Sequence, residues 1–265
     1  HGTDPVGPVR APGRRIARSF GRGLLAVLAA GGVLAACGGG RPPAPPASQG
    51  VVQNRVVPGS IPLVDTAGHV TNLRAYRGKY IVLAPFLSLC QDECPLVTGA
   101  FIALQHDVRA AGLGRQVVFM EITVDPRRDT PARLAAYAAR FGADWTLLTG
   151  TPTDLDELWK FFGVSVQVVP EAQPAKLDWW TGKPLTYDVD HTDGYILVDR
   201  QGRERFVDGT PPDLHGHLDK ALTGLLNAGG RQNLYHQAGR SWTLSEALAS
   251  LEWLVGRPLP SVATT

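Results

Sequence analysis

Apolar residues in this chain fall into short blocks separated by polar, glycine- and proline-rich joints, and the period of each block predicts its element. Residues 79–85, around Ile81, Val82 and Leu83, are short, apolar and partly β-branched, the pattern of a strand covered on both faces. Behind Pro95, which suits a first helical position because its missing N–H costs nothing there, Leu96, Phe101, Leu104 and Val108 recur at helical spacing. Residues 116–125 predict a second buried strand. A helix from Pro131 to about Phe141 follows, capped by Asp129 or Thr130. Residues 145–149 predict a third strand, and residues 153–162 a helix whose acidic first turn, Asp154 and Asp156, complements its dipole.

The flanks follow the same logic. Residues 61–65 and 69–73, either side of the turn residues Thr66 and Gly68, predict a hairpin leading into the first buried strand. Residues 195–199 and 204–208 predict a second hairpin, with a helix over about 212–226 behind it. Between the third helix and that hairpin, residues 169–186 are polar and contain prolines, with the pair Trp179 and Trp180; this segment reads as a loop whose tryptophans either fold down as core or, the favoured reading, form an exposed patch that docks a partner. Parallel strands with crossover helices, followed by an antiparallel pair, predict an α/β fold: a thioredoxin-like sheet with flanking helices and an N-terminal hairpin. Beyond Gly230 the pattern changes. Residues 241–246 cap an apolar helix over 247–255, closed by Gly256 and Pro258, an appended C-terminal helix packed on the domain.

Composition alters the picture at the N-terminal end. Arg10, Arg14, Arg15, Arg18 and Arg22 precede an apolar run over 23–36, too short for a comfortable membrane span and ending Leu34-Ala35-Ala36-Cys37. Residues 1–36 resemble a bacterial lipoprotein signal, with cleavage leaving Cys37 as the lipidated first residue. That places the protein on the outer face of the cytoplasmic membrane, exported and held there by a lipid anchor. Residues 37–54 form a Pro/Gly-rich linker of polyproline tendency, residues 55–227 the thioredoxin-like domain, and residues 228–265 a C-terminal helical extension. The formal net charge of +2 belongs to the signal; without it the chain carries −2. No Lys/Arg stripe remains that would suit nucleic acid, so none is expected as a partner.

The candidate chemistry lies between the first strand and its helix, where Cys90 and Cys94 flank Gln91, Asp92 and Glu93. A turn at a helix N-terminus, with unpaired N–H groups and a favourable dipole, predicts stabilised thiolates there. Three intervening residues make a loop that can close a disulfide when oxidised or pinch one soft metal ion when reduced; a purely structural staple is the plainer reading. The chain holds three cysteines, and if lipid claims Cys37 the other two have only each other. Copper(I) accepts two thiolates, and an imidazole completes a site that also holds copper(II). Of seven histidines, His191 lies in a loop entering the strand at Tyr195, which in a thioredoxin-like sheet rises beside the cysteines.

These residues carry a family resemblance. Cys90-x-x-x-Cys94-Pro95 with Asp92 between, Val124-Asp-Pro-Arg-Arg-Asp-Thr-Pro131 after the next strand, and Val189-Asp-His-Thr192 before the terminal hairpin together resemble the Sco/SenC family. These are thioredoxin-fold copper-binding proteins of cytochrome c oxidase assembly. The resemblance implies a copper ion held by Cys90, Cys94 and His191 and passed to the Cu(A) centre. It implies as partners the oxidase's copper-bearing subunit or its assembly factors. The chain departs from the family's pattern where Leu87-Ser88-Leu89 precede Cys90 and Gln91 follows it. A metallochaperone is the leading expectation. The alternative is an enzyme, a thiol-disulfide oxidoreductase working through Cys90 and Cys94 to keep the oxidase's cysteines reduced. A thiol peroxidase ranks last because no spare cysteine is placed for it.

Overall fold

The computed structural model describes residues 50–260. Cys37, the signal segment and most of the linker fall outside the described residues. In chain order the elements are strands β1 (Val51–Val56), β2 (Leu63–Asp65), β3 (Val70–Thr71) and β4 (Tyr80–Phe86), then helix α1 (Cys94–Ala110). Next come β5 (Val117–Thr123), α2 (Pro131–Phe141), β6 (Thr146–Thr149) and α3 (Pro152–Phe162). They are followed by β7 (Val166–Pro170), β8 (Tyr187–His191), β9 (Tyr195–Val198) and β10 (Arg203–Asp208). The chain continues through β11 (Pro212–Asp213), α4 (Lys220–Thr223), α5 (Ala228–Tyr235), β12 (Trp242–Thr243) and α6 (Leu244–Val255).

Eight strands form one sheet in the order β1-β10-β9-β4-β5-β6-β2-β3. β4, β5 and β6 run parallel, while β9 pairs antiparallel with β4 on the other side. This is the expected thioredoxin-like arrangement. β4 sits centrally, and its alternating side chains serve two cores. Ile81 and Leu83 pack on one face with Leu134, Tyr137 and Trp159 of α2 and α3; Val82 and Ala84 pack on the other with Leu96 and Phe101 of α1 and Leu251 of α6. An apolar strand with no polar face is the consequence of this double cover. Local signals close the helices as the sequence suggests: the Thr130 and Thr151 side chains cap α2 and α3, and Gly142 and Gly163 end them in the left-handed region.

Several elements differ from the sequence expectation. β1 begins at Val51, inside the segment read as linker, because its backbone completes the edge of β10. Residues 166–170 and 187–191 form a two-stranded ribbon in place of loops, so His191 ends a strand. The helix expected over 212–226 does not form. Pro212 and Asp213 instead pair in parallel with Trp242 and Thr243. His215 and Gly216 then turn through positive φ, at 49° and 86°, which no helix admits, leaving the single turn α4. The helical extension expected over 228–265 holds a helix besides α6: α5, whose Ala-Gly-Gly-Arg start has poor helix propensity and gives no local signal of its own. Residues 171–186 are anchored: the Arg133 guanidinium grips the Asp178 carboxylate through two bonds of 2.9 and 2.7 Å. Trp179 packs edge-on against Tyr137 and Phe141. Trp179 is therefore core, contrary to a docking role, while Trp180 stays 46 % exposed.

Candidate functional site

β4 ends in a buried run, Phe86 to Leu89, that carries the chain over the end of the sheet to Cys90. Asp129 holds this run from beneath. Fully buried, it accepts bonds from the Ser88 backbone N–H at 3.1 Å, the Ser88 hydroxyl, and the Thr123 hydroxyl at 2.6 Å. The sequence marks Asp129 as an alternative helix cap and as part of the motif over 124–131, with no role at the cysteine loop. Its place in the segment after β5 was the one signal available. From above, Trp179 Nε1 donates to the Ser88 carbonyl at 2.7 Å, and Gln91 Nε2 donates to the Leu177 carbonyl at 2.7 Å.

Cys90 is half-buried, and its Sγ accepts the N–H groups of Asp92 and Cys94, each at 3.5 Å. Cys94 is the first residue of α1 and is buried; its Sγ lies 3.3 Å from His191 Nε2. Both thiols are free in this structure. His191 Nδ1 sits 2.9 Å from the Thr192 carbonyl, and a carbonyl can only accept, so the proton resides on Nδ1. The Nε2 lone pair is thereby turned onto Cys94. Two residues 97 positions apart in sequence meet because β9 lies antiparallel beside β4, so that the end of β8, which leads into β9, arrives at the C-terminal end of β4.

Burial governs the electrostatics. It pushes the Cys94 thiol well above its ordinary range, reinforced by Cys90, and overrides the thiolate preference expected from the helix terminus. It lowers the His191 pKa, against the Thr192 carbonyl, so the imidazole is neutral and its nitrogen available. The surrounding carboxyls are raised for the same reason: Glu93 to about 7, and Asp193 to about 7 with help from Asp92. Neutral nitrogen beside sulfur is a donor set for a soft cation. Cys94 and His191 make the direct contact, while Cys90 Sγ is turned to the two amides. Among the described residues no three His, Cys, Asp or Glu side chains already converge at metal-ligand spacing. An open cleft of about 900 Å³, lined by Gln91, Phe141, Leu177, Trp179 and Leu225, runs beside the Cys90 loop.

The SCO1/SenC family profile matches residues 52–219. The chain belongs to the SCO1/SenC family. Among curated Sco relatives, the sco1 protein of Schizosaccharomyces pombe is 28 % identical over 55 % of this chain. The chain spans about half of that protein's length, 52 %. A Stutzerimonas stutzeri protein provisionally named as copper-binding is 26 % identical, covering 66 % of this chain and 79 % of its own. In fold, the chain is similar to an Aquifex aeolicus protein described provisionally as an electron transfer protein. That crystal structure is matched at a TM-score of 0.54 and 19 % identity, over 77 % of this chain and 95 % of the other. The Sco profile ends at 219, before α5 and α6, so the residues packed on the loop from the C-terminal side lie outside it.

Proposed function

We propose that this protein is a copper metallochaperone that binds one copper ion through Cys90, Cys94 and His191 and delivers it to the Cu(A) site of cytochrome c oxidase. Members of its family serve copper assembly of that oxidase. The observation that carries the reading is the 3.3 Å contact between Cys94 Sγ and a neutral His191 Nε2, because thiol exchange does not require an imidazole at the sulfur whereas copper(II) binding does. Copper is the cargo. Its capture requires Cys90 Sγ to swing off two long, weak N–H contacts and both thiols to release protons. The proposal includes the site of action: anchored through a lipid on Cys37, at the outer face of the cytoplasmic membrane, facing the oxidase's copper-bearing subunit or its assembly factors.

One observation favours a second reading, thiol-disulfide exchange. Cys90 is half-exposed and Cys94 buried, the asymmetry in which one sulfur attacks and the other resolves. A copper titration of the reduced protein and of His191→Ala separates the two. The metallochaperone requires one copper per chain in the wild type, retention of copper(I) by His191→Ala on its two thiolates, and loss of most copper(II) binding. Oxidase assembled fully copper-loaded at low copper supply by the His191→Ala strain would leave only the thiol chemistry.

A further inference from the structure

The C-terminal extension reaches the cysteine loop directly. Asn227 opens α5, and its backbone N–H donates to the Gln91 carbonyl at 2.7 Å. Six residues on, Asn233 Nδ2 bridges the two carboxylates between the cysteines, Asp92 Oδ1 at 3.0 Å and Glu93 Oε1 at 2.7 Å. Gln237 Nε2 takes the other oxygen of Glu93 at 2.9 Å and ties it to the Pro212 carbonyl at 3.0 Å. Approach is close enough to demand glycine: a Cβ on Gly230 would lie 2.7 Å from the Gln91 oxygen and 3.0 Å from Asp92 Cα. The extension is itself firmly seated. Trp242 is fully buried with its indole N–H on the Thr210 carbonyl at 2.7 Å, and Leu234, Leu248 and Leu251 share the core that contains Leu96 and Phe101 of α1.

We infer that Asn233 and Gln237 are positioning residues that, by gripping the Asp92 and Glu93 carboxylates, hold the loop between the cysteines in its free-thiol arrangement, favouring the dithiol form of Cys90 and Cys94 over their disulfide. The physical reason is a difference in spacing. A disulfide brings two sulfurs to about 2.05 Å and draws the five-residue loop into a closed ring. Two thiolates sharing one ion, at metal–sulfur distances of about 2.3 Å, stay roughly 3 Å or more apart and leave the loop wider. The bonds from Asn233 on α5 and from Gln237 just beyond it are made to the loop as it stands with free thiols. Interactions present in one form and strained in the other shift the equilibrium by their difference. The extension thus biases the site toward the state that can take a soft cation. The inference needs Cys90 and Cys94 to be the working thiols, as in the function proposed above, but not that their cargo is copper.

The test is the thiol–disulfide equilibrium of the full chain in glutathione buffers, read by differential alkylation of Cys90 and Cys94. The reaction consumes one glutathione disulfide and both protein thiols and yields the protein disulfide with two reduced glutathiones. The Asn233→Ala, Gln237→Ala double variant should move the equilibrium about tenfold toward the disulfide, ~30 mV for a two-electron couple. A control, Leu251→Ala, loosens the extension without touching the loop and should leave the constant within about twofold of wild type. An unmoved constant in the clamp variant, or an equal shift in Leu251→Ala, overturns the inference. If the double variant does not fold, Gln237→Ala alone removes one contact to the half-buried Glu93 and should still shift the constant about threefold; no shift is again decisive. Failure of wild-type copper binding would sink the metallochaperone and leave this equilibrium able to score the clamp.

Discussion

Trp179 donates its indole N–H to the Ser88 carbonyl at 2.7 Å, joining the segment between β7 and β8 to the backbone two residues before Cys90. The ring also stacks edge-on with Tyr137 at 5.9 Å and Phe141 at 5.3 Å. A side chain so placed couples core packing to the position of the first cysteine. Trp179→Ala should cost about 3 kcal/mol, through lost packing and an unpaired Ser88 carbonyl, and should weaken copper binding as the loop loosens. Trp180→Ala, at a half-open position, should cost under about 1 kcal/mol. Denaturant unfolding of the two variants checks the contrast, and equal losses would contradict it.

Arg133 and Asp178 hold the same segment by charge. Burial works against the Asp178 carboxylate, but the Arg133 fork and the N–H groups of Trp180 and Thr181 outweigh it and keep the carboxyl below its usual range. Arg133→Ala should cost about 3 kcal/mol because it strands a buried carboxylate, and Arg133→Lys should recover only part, since an ammonium cannot make both bonds. A depressed carboxyl contributes stability that is present above its unfolded pKa and is lost as pH falls through the folded value. The variant should therefore be nearest to wild type in acid. Unfolding free energies measured from pH 5 down to pH 2 test that convergence, which begins only below the ordinary carboxyl value of 3.8.

Glu121 lies fully buried in β5, accepting the Thr98 hydroxyl at 2.8 Å and the Trp145 indole N–H at 3.0 Å. Burial pushes its pKa up to about 8, against those two bonds. Folded protein then holds a proton that unfolded chain releases near pH 4.5. The stability this proton contributes is whole below that value, declines by about 1 kcal/mol per pH unit toward pH 8, and is flat above. Glu121→Gln carries no such titration and should flatten the decline between pH 5 and 8. A slope equal to that of wild type would mean Glu121 is ionised in the folded state.

Cys37 lies outside the described residues, and its expected role is tested in cells. Cys37→Ala should block lipidation and signal cleavage and remove the mature protein from the membrane fraction. Processed, membrane-bound protein in that variant would refute the anchor. Among the described residues no helix is long and apolar enough to cross a membrane.

Oxidation offers a further check on the proposed cargo. Once Cys90 and Cys94 are joined, both thiolates are consumed, so the oxidised protein should bind copper at least a hundredfold more weakly than the reduced, and reductant should restore binding. Tight binding by the disulfide form would exclude the two sulfurs as ligands.

Sequence alone determined the elements whose signals are local. β4 and β5 are legible because strands buried on both faces need unbroken apolar runs, α2 because a capping residue and Pro131 mark its start, and α3 because an acidic first turn complements its dipole. The two cysteines were legible for the same reason, lying between one such strand and its helix. Tertiary structure decided what depends on contacts made across the chain. Residues 212–213 became a strand because Trp242 supplied an edge to pair with, a long-range gain that a local helical pattern does not register. The Cys94 thiol was raised because packing removed it from water, a larger effect than the helix end it sits on. Asn233, on the glycine-containing α5, and Gln237, just beyond its end, carry no signal of their own; their meaning lies in Asp92 and Glu93, 140 or more positions away in sequence and within 3.0 Å in space.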